Sequence, residues 1–375
     1  MLLSETQRAV AESIRSFSRE RIKPHSRAFA DSGGFPPQLF EDLGALGLFG
    51  MIAPASYGGA ESDYVCYALA LMEIAAADGA LSTLVSIQNS IMVVGILKWG
   101  TEEQKARFLP LLINGRTIGA FALTEPDAGS DAAAVRTRAI RTDGGWIITG
   151  SKQFITSGKI AGLAMVIAVT DPTAGKRGLT AFLVPTDRNG YEVEKVEHKM
   201  GQTASDTCSL RFEQLFVEDE LVLGSPGEGY RIALANLETG RIGIAAQCVG
   251  MAEAALELAV AYAKERRSMG KAIIEHQAVG FRLADLAAKL EAARQLTLHA
   301  AALKDGDEPC LKEASMAKLV ASETAETVVS GALQTLGGYG YLEEFGIAKI
   351  YRDVRVCQIY EGTSDIQRMV ISRAL

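Results

Sequence analysis

The sequence has no paired-cysteine motif, no histidine cluster, no excess of positive charge and no unbroken apolar run of membrane-spanning length. Each absence removes a class of function. The five cysteines (Cys66, Cys208, Cys248, Cys310 and Cys357) stand singly without Cys-x-x-Cys spacing, and an odd number leaves one outside any pairing. Reduced thiols in a cytoplasmic compartment are the expectation. His25, His198, His276 and His299 are isolated from one another and from any Cys or Asp cluster, so no catalytic metal is expected. A net charge of −7 gives no footing for nucleic acid or an anionic membrane. The longest apolar stretches, such as Ile244 to Leu256, are interrupted by Gln, Gly and Glu and fall short of the roughly 20 residues a membrane helix needs. Leu3 to Val10 reads as helix, not as a secretory leader.

What is present is the composition of a globular enzyme, 48% hydrophobic and 22% charged, in a chain of 375 residues that calls for two or three modules. Residues 1–119 have helical spacing: Ala9, Ile14 and Phe17 fit one stripe, and Leu39, Leu43 and Leu46 another. Thr101 with Gln104 three residues on predicts a capping box. Residues 120–226 change to strand character. Ala139–Thr142 and Trp146–Ile148 flank an Asp143-Gly144 turn, and Leu163–Thr170, Leu179–Val184 and Ser209–Phe212 are further strands. Residues 227–375 return to long helices, predicted over Met251–Arg267, Val279–Ala302 and Leu311–Leu336, that suit an antiparallel bundle. The order is α–β–α, with no internal repeat.

Three segments stand out chemically. Phe121-Ala-Leu-Thr-Glu-Pro-Asp-Ala-Gly-Ser-Asp131 lies where helix gives way to strand, and its small residues and hydroxyls let backbone N–H groups approach a ligand. A tight interdomain turn is the plainer reading. Gln334-Thr-Leu-Gly-Gly-Tyr-Gly-Tyr-Leu-Glu-Glu344 follows a long helix without the Gly-x-Gly-x-x-Gly spacing of a Rossmann site, and helix termination explains its glycines equally well. Tyr360-Glu361-Gly362-Thr363-Ser364 sets a carboxylate near a helix start that Thr363 or Ser364 can cap. Desolvation there raises a carboxyl toward the range of a general base, although local pattern favours an ordinary helix-entry glutamate. In Lys152–Gly158, Phe154 and Thr156 share one face if the segment is a strand. Arg266-Arg267-Ser268-Met-Gly-Lys271 closes a helix with a basic cluster suited to the helix dipole or to a pyrophosphate.

Together these motifs resemble the acyl-CoA dehydrogenase family over nearly the whole chain. Ala122–Asp131 is similar to the family's first signature. Gln334 through Tyr341 and Glu344, with Lys349 and Asp353, is similar to the second, and Tyr360–Thr363 to the catalytic segment of short-, medium- and short-branched-chain members. The resemblance implies an α+β multidomain fold with an N-terminal α-helical domain, a middle β-barrel-like domain and a C-terminal four-helix bundle. It implies that Glu361 removes the proton alpha to a thioester carbonyl while FAD takes the beta hydrogen as hydride. It assigns the flavin to Phe121, Leu123, Thr124, Gly129, Ser130, Phe154, Ile155 and Thr156. Arg266, Arg267, Ser268, Gln277, Gln334, Gly337 and Gly338 would serve the FAD of a neighbouring subunit, with Thr363, Ser364 and Asp365 near its adenine or pyrophosphate. Ser130, Glu238, Arg241, Tyr360 and Gly362 would meet the acyl-CoA.

A shared cofactor implies a homo-oligomer, a dimer of dimers by resemblance. The implied electron acceptor is an electron-transfer flavoprotein, and the implied setting is β-oxidation or branched-chain amino acid catabolism. Members that take dicarboxylic acyl-CoAs carry an arginine in the helix before the turn that corresponds to Gln88-Asn89-Ser90. Residues 79–86 contain none, so an apolar short to medium or branched acyl chain is expected. Two alternatives remain open: an oxygen-using flavin oxidase of the same fold, and a non-catalytic acyl-CoA-binding scaffold.

Overall fold

The computed structural model describes residues 1–375. Seven helices open the chain: α1 (Glu5–Phe17), α2 (Ser26–Ser32), α3 (Pro37–Ala45), α4 (Tyr64–Ala77), α5 (Gly79–Ile87), α6 (Val94–Trp99) and α7 (Glu102–Ile113). The capping box at Thr101 forms as expected, and a second one forms at Ser4 with Gln7. The two stripes need correction. Ala9 faces solvent, and α1 buries Ala11 and Ile14 instead. Leu46 is exposed because α3 ends one residue before it.

The middle region is one eight-stranded sheet ordered β6-β7-β3-β2-β4-β5-β8, with β1 beside β4. Its strands are β1 (Gly119–Ala122), β2 (Arg138–Thr142), β3 (Gly145–Thr156), β4 (Leu163–Val169), β5 (Leu179–Pro185), β6 (Tyr191–Val196), β7 (Thr207–Glu218) and β8 (Val222–Leu223). The Asp143-Gly144 turn joins β2 to β3, with Gly144 at φ +71°. No hydrogen-bonded pair links β6 to β8, so the sheet is barrel-like without closing.

The C-terminal part holds α8 (Gly229–Glu265), a short hairpin of β9 (Arg267–Ser268) and β10 (Lys271–Ala272), α9 (Gln277–Asp305), α10 (Leu311–Leu336), α11 (Ile347–Val354) and α12 (Ser364–Ser372). The expected third helix matches α10. The expected first helix is the C-terminal part of α8, which runs 37 residues. The part before Met251 carries Gly240, Gly243 and Gly250. One of them permits a close helix crossing: a Cβ at Gly250 would lie 2.0 Å from the Met72 carbonyl oxygen of α4.

Two stretches, Gly79–Trp99 and α8, do reach membrane-spanning length and hydropathy, contrary to the sequence reading. Their most apolar windows are 89% and 67% buried, which makes them core helices here. The three sequence regions share two hydrophobic cores. One joins N- and C-terminal helices, with Leu71, Ile242, Val249, Leu286 and Val328 among its members. The other joins the sheet to α6 and α7 through Met92, Ile96, Leu109, Val166, Phe182 and Leu215. The last N-terminal helices therefore pack with the sheet.

A buried ion pair fixes the segment after β1. Lys152, fully buried in β3, donates to Glu125 (2.7 Å) and to the Leu123 (3.0 Å) and Ile167 (2.7 Å) carbonyls. Glu125 also accepts from the Arg136 and Thr137 N–H groups, at 2.7 and 3.0 Å. Burial pushes the Lys152 ammonium down to about 8 while Glu125 holds it charged. Burial pushes the Glu125 carboxyl up, but Lys152 and its hydrogen bonds bring it below its ordinary value. Removing one partner strands the other charge in the core. Lys152→Met should therefore cost about 3–5 kcal/mol of stability in chemical denaturation. A loss below about 1 kcal/mol would show that the pair does not hold this segment.

Candidate active site

All three regions contribute to one cleft of about 200 Å³. From the middle region, Phe121, Leu123, Thr124, Gly129, Ser130, Phe154, Ile155 and Thr156 line it. Phe154 and Thr156 reach it, but not by simple strand alternation. The pairing of β3 with β7 slips between Lys152 and Ile155, and Phe154 takes φ +59°. This bulge re-aims the ring so that Phe154 is 64% exposed at the cleft instead of buried in the sheet. The Gln153 N–H donates to the Thr124 carbonyl at 2.8 Å, which ties the bulge to the first signature.

Glu361 lies opposite, between a short helical turn over Arg355–Gln358 and the start of α12. Thr363 caps α12 through the Ile366 N–H (3.3 Å). Glu361 has φ +55°, a conformation that costs a non-glycine residue about 1–3 kcal/mol unless its surroundings impose it. They do. Gln367 donates to the Glu361 and Gly362 carbonyls (3.2 and 2.9 Å), and Lys318 of α10 donates to the Gly362 carbonyl (2.8 Å). The Glu361 N–H makes no hydrogen bond within the chain, and Oε2 is sealed from solvent without a partner. Gly240 of α8 presses on this oxygen, since a Cβ there would lie 2.2 Å from it.

Two buried cations flank the carboxylate. Arg241 is 6% exposed, with Nε and Nη1 unpartnered, and Lys318 is fully buried. Burial raises the Glu361 carboxyl, Arg241 and then Lys318 pull it partly back, and it settles at about 7. The neighbouring Tyr360 hydroxyl is held by one residue from each region. It donates to Gln247 (2.5 Å), accepts from Gln202 (3.2 Å) and lies 3.4 Å from the Thr83 hydroxyl. Thr83 in turn donates to Gln202 (2.7 Å) and accepts from Gln247 (2.6 Å).

The cleft thus gathers Arg241, Tyr360, Glu361 and Gly362 with the middle-region residues. Glu238 lies outside its lining, and its carboxylate pairs with Lys304 at 2.9 Å. Arg266, Arg267, Ser268, Gln277, Gln334, Gly337 and Gly338 are exposed and away from the cleft. Gly337 and Gly338 face open space, where an added Cβ would meet no atom within 4 Å. Thr363 and Ser364 are half-buried, and Asp365 is exposed.

Sequence reasoning missed the apolar wall of Ile87, Ile91, Leu234, Leu237 and Ile244, and missed Lys318, Gln367 and Gly240. Only Lys318 carried a readable signal, a charge in the apolar stripe of Ala314, Ala321 and Ala325.

The cleft fits the flavin that the sequence motifs imply. An aromatic face at Phe154 stands open beside the Thr124, Ser130 and Thr156 hydroxyls, as a planar, hydrogen-bonding ring system requires.

Family models for the acyl-CoA dehydrogenase N-terminal, middle and C-terminal domains match residues 4–116, 120–215 and 227–375. The chain is 42% identical over 371 residues to the mitochondrial short-chain specific acyl-CoA dehydrogenase of Bos taurus, covering 99% of this chain and 90% of that one. Butyryl-CoA dehydrogenase from Megasphaera elsdenii superposes with a TM-score of 0.97 at 39% identity, covering 100% of this chain and 99% of that one. A structure described as the electron transferring flavoprotein of Acidaminococcus fermentans gives a TM-score of 0.98 at 40% identity, covering 100% and 98%.

Two outcomes follow from the geometry of Glu361. Gly240→Ala should displace the carboxylate and lower kcat on the order of 10²-fold with little change in melting temperature; kcat within about two-fold of the parent would show that the contact is slack. A base must be ionised, so kcat/KM should fall as pH drops through about 7. The stability effect has the opposite sense. A carboxyl raised above its ordinary 4.5 favours the protonated native state, so its contribution to stability declines as pH rises from about 4.5 to about 7. Comparing melting temperatures of the parent and Glu361→Gln across that window measures it, and parallel curves would refute it.

Proposed function

The chain belongs to the acyl-CoA dehydrogenase family over all three of its domains, and we propose that it converts a short- to medium-chain or branched acyl-CoA to the trans-2-enoyl-CoA. It is an oxidoreductase with FAD as cofactor. The observation that carries the reading is Glu361, a desolvated carboxylate with an unpartnered oxygen at the wall of the cleft.

The chain's own groups divide the work. Glu361, ionised, takes the proton alpha to the thioester carbonyl. Negative charge then grows on the thioester oxygen, and the free Glu361 N–H is a donor that needs no reorganisation to meet it. Arg241 and Lys318 keep positive charge near the reacting carboxylate. Phe154, Thr124, Ser130 and Thr156 would hold the flavin, which when bound supplies the acceptor for the beta hydrogen. The apolar wall keeps water from the acidified alpha carbon.

An apolar acyl group of modest size is supported by that wall, by the lack of arginine in residues 79–86 and by similarity to the Bos taurus short-chain enzyme. Thr83 and Tyr360, locked together through Gln202 and Gln247, make one side of the cleft unyielding. Such a substrate suits β-oxidation or branched-chain amino acid catabolism, in a cytoplasm whose reducing conditions match five free cysteines. Likeness to the structure described as an electron transferring flavoprotein supports electron transfer to a partner of that kind. A homo-oligomer, a dimer of dimers in our reading, is supported by the exposed Met269, Phe281 and Tyr341 near the segments expected to serve a neighbour's FAD.

Glu361→Gln should keep its flavin absorbance yet lose about 10²- to 10⁴-fold in dehydrogenation with a dye acceptor. The parent, tested against acyl-CoAs of graded length and branching, should prefer short apolar chains. Wild-type rates in the variant would sink the role of Glu361, and rapid flavin reoxidation by oxygen alone would sink the proposed acceptor.

A further inference from the structure

Helix α10 carries one charge inside its apolar face. Ala314, Ala317, Ala321 and Ala325 are buried, and Lys318 sits among them with no exposed surface. Its ammonium makes a single hydrogen bond, to the Gly362 carbonyl at 2.8 Å, and pairs with no carboxylate. The groups that face it are Cys248 and Arg241 from α8, Cys357 from the turn before the site, and Glu361. Glu361 is the only carboxylate among them. A buried ammonium without counter-charge is costly, and a neutral side chain of similar length would fill the same space without that cost.

The backbone contact has a partner. Gln367, fully buried on α12, donates to the same Gly362 carbonyl and to that of Glu361. Gly362 has φ +88°, and a Cβ there would meet the Gln367 amide nitrogen at 2.7 Å. Lys318 and Gln367 therefore clamp the two peptide units of the left-handed turn that carries the base. Gln367 does so as a neutral amide. Only Lys318 adds charge.

We propose that Lys318 is a positioning residue for the base: it pins the Gly362 carbonyl so that Glu361 points into the cleft, and it sets a buried positive charge beside the carboxylate. The proposal rests on Glu361 being the base. The other charged or titratable groups facing that carboxylate are Arg241 from α8 and Tyr67 from α4. Neither of these contacts the turn's carbonyls, so the combination of pin and charge belongs to Lys318.

The test is kcat against pH for FAD-loaded parent, Lys318→Met, Lys318→Gln and Lys318→Arg, with the preferred acyl-CoA and a dye acceptor. Without the charge, the acid limb of the Met and Gln variants should move up by about one pH unit. Their kcat should be about five-fold lower at pH 7 and should recover toward the parent by about pH 9. Lys318→Arg should return the limb toward its original position, and KM should change less than kcat. An unmoved acid limb would overturn the proposal. So would a loss of kcat equal at all pH values. If neither Met nor Gln variant folds with FAD, Lys318 is a folding residue and the proposal falls. Failure of the underlying reading looks different: Glu361→Gln would then keep its rate, whatever the Lys318 variants do.

Discussion

The carboxylate of Glu361 is held out of water with one oxygen unpartnered, and the rest of the molecule is arranged to sustain that desolvation. In water this group would be a weak base. Burial alone would leave it protonated and useless near neutrality. Two neighbouring cations, Arg241 and Lys318, return it to about 7, where it can take a proton and release it again. The left-handed turn at Glu361 and Gly362 aims the group, and the turn persists because α10 and α12 hold its carbonyls. Strain and burial at this point must be offset elsewhere.

Part of that offset comes from how the regions interlock. A chain of three sequence regions would ordinarily have three cores and mobile junctions. Here the N- and C-terminal helices share one core, while α6 and α7 belong to the core of the sheet. Buried polar groups then tie the seam. Asp78 caps α5 and accepts from Ser26 and Lys349, and Lys349 also reaches Asp353. Asp353 accepts the Gln202 N–H of the middle region. Gln202 reaches Tyr360, next to the base. Lys349 and Asp353, read from sequence as parts of a signature, thus act through architecture, far along the same network from the reacting atoms.

Much of the fold was legible because it follows local rules. The stretch Leu311–Leu336 has the composition and period of a helix, and Asp143-Gly144 between alternating residues is a hairpin turn. What escaped was set by tertiary contacts. Strand β6 has almost no buried face, so the alternation of Tyr191 and Val193 with Glu192 and Glu194 marks no core-facing side. The part of α8 before Met251 was not predicted as helix, and its glycines are fixed by tertiary neighbours, Gly240 by Glu361 and Gly250 by Met72. Phe154 was expected beside the flavin by strand alternation with Thr156, whereas a register slip is what turns it outward. Glu361 itself was ambiguous from local pattern. Its character depends on Arg241 and Lys318, which lie 120 and 43 positions away in the chain and which no window of neighbouring residues can supply.

The charge arrangement also bears on which state of the reaction the site favours. With Glu361 ionised, the two cations around it leave one surplus positive charge. Once Glu361 has accepted a proton, both cations lose its opposing charge in surroundings that solvate charge poorly. The negative charge that develops on the substrate as its alpha proton leaves arises at that same moment. It replaces the charge that the carboxylate gives up, so total charge in the buried region is conserved while its location shifts. A site built this way interacts more strongly with the deprotonating substrate than with the neutral thioester, which is the difference that lowers a barrier. A neutral pocket of equal shape would bind both alike. The costly burial of Arg241 and Lys318 therefore has its return in the transition state, where the folded resting protein gains nothing from it.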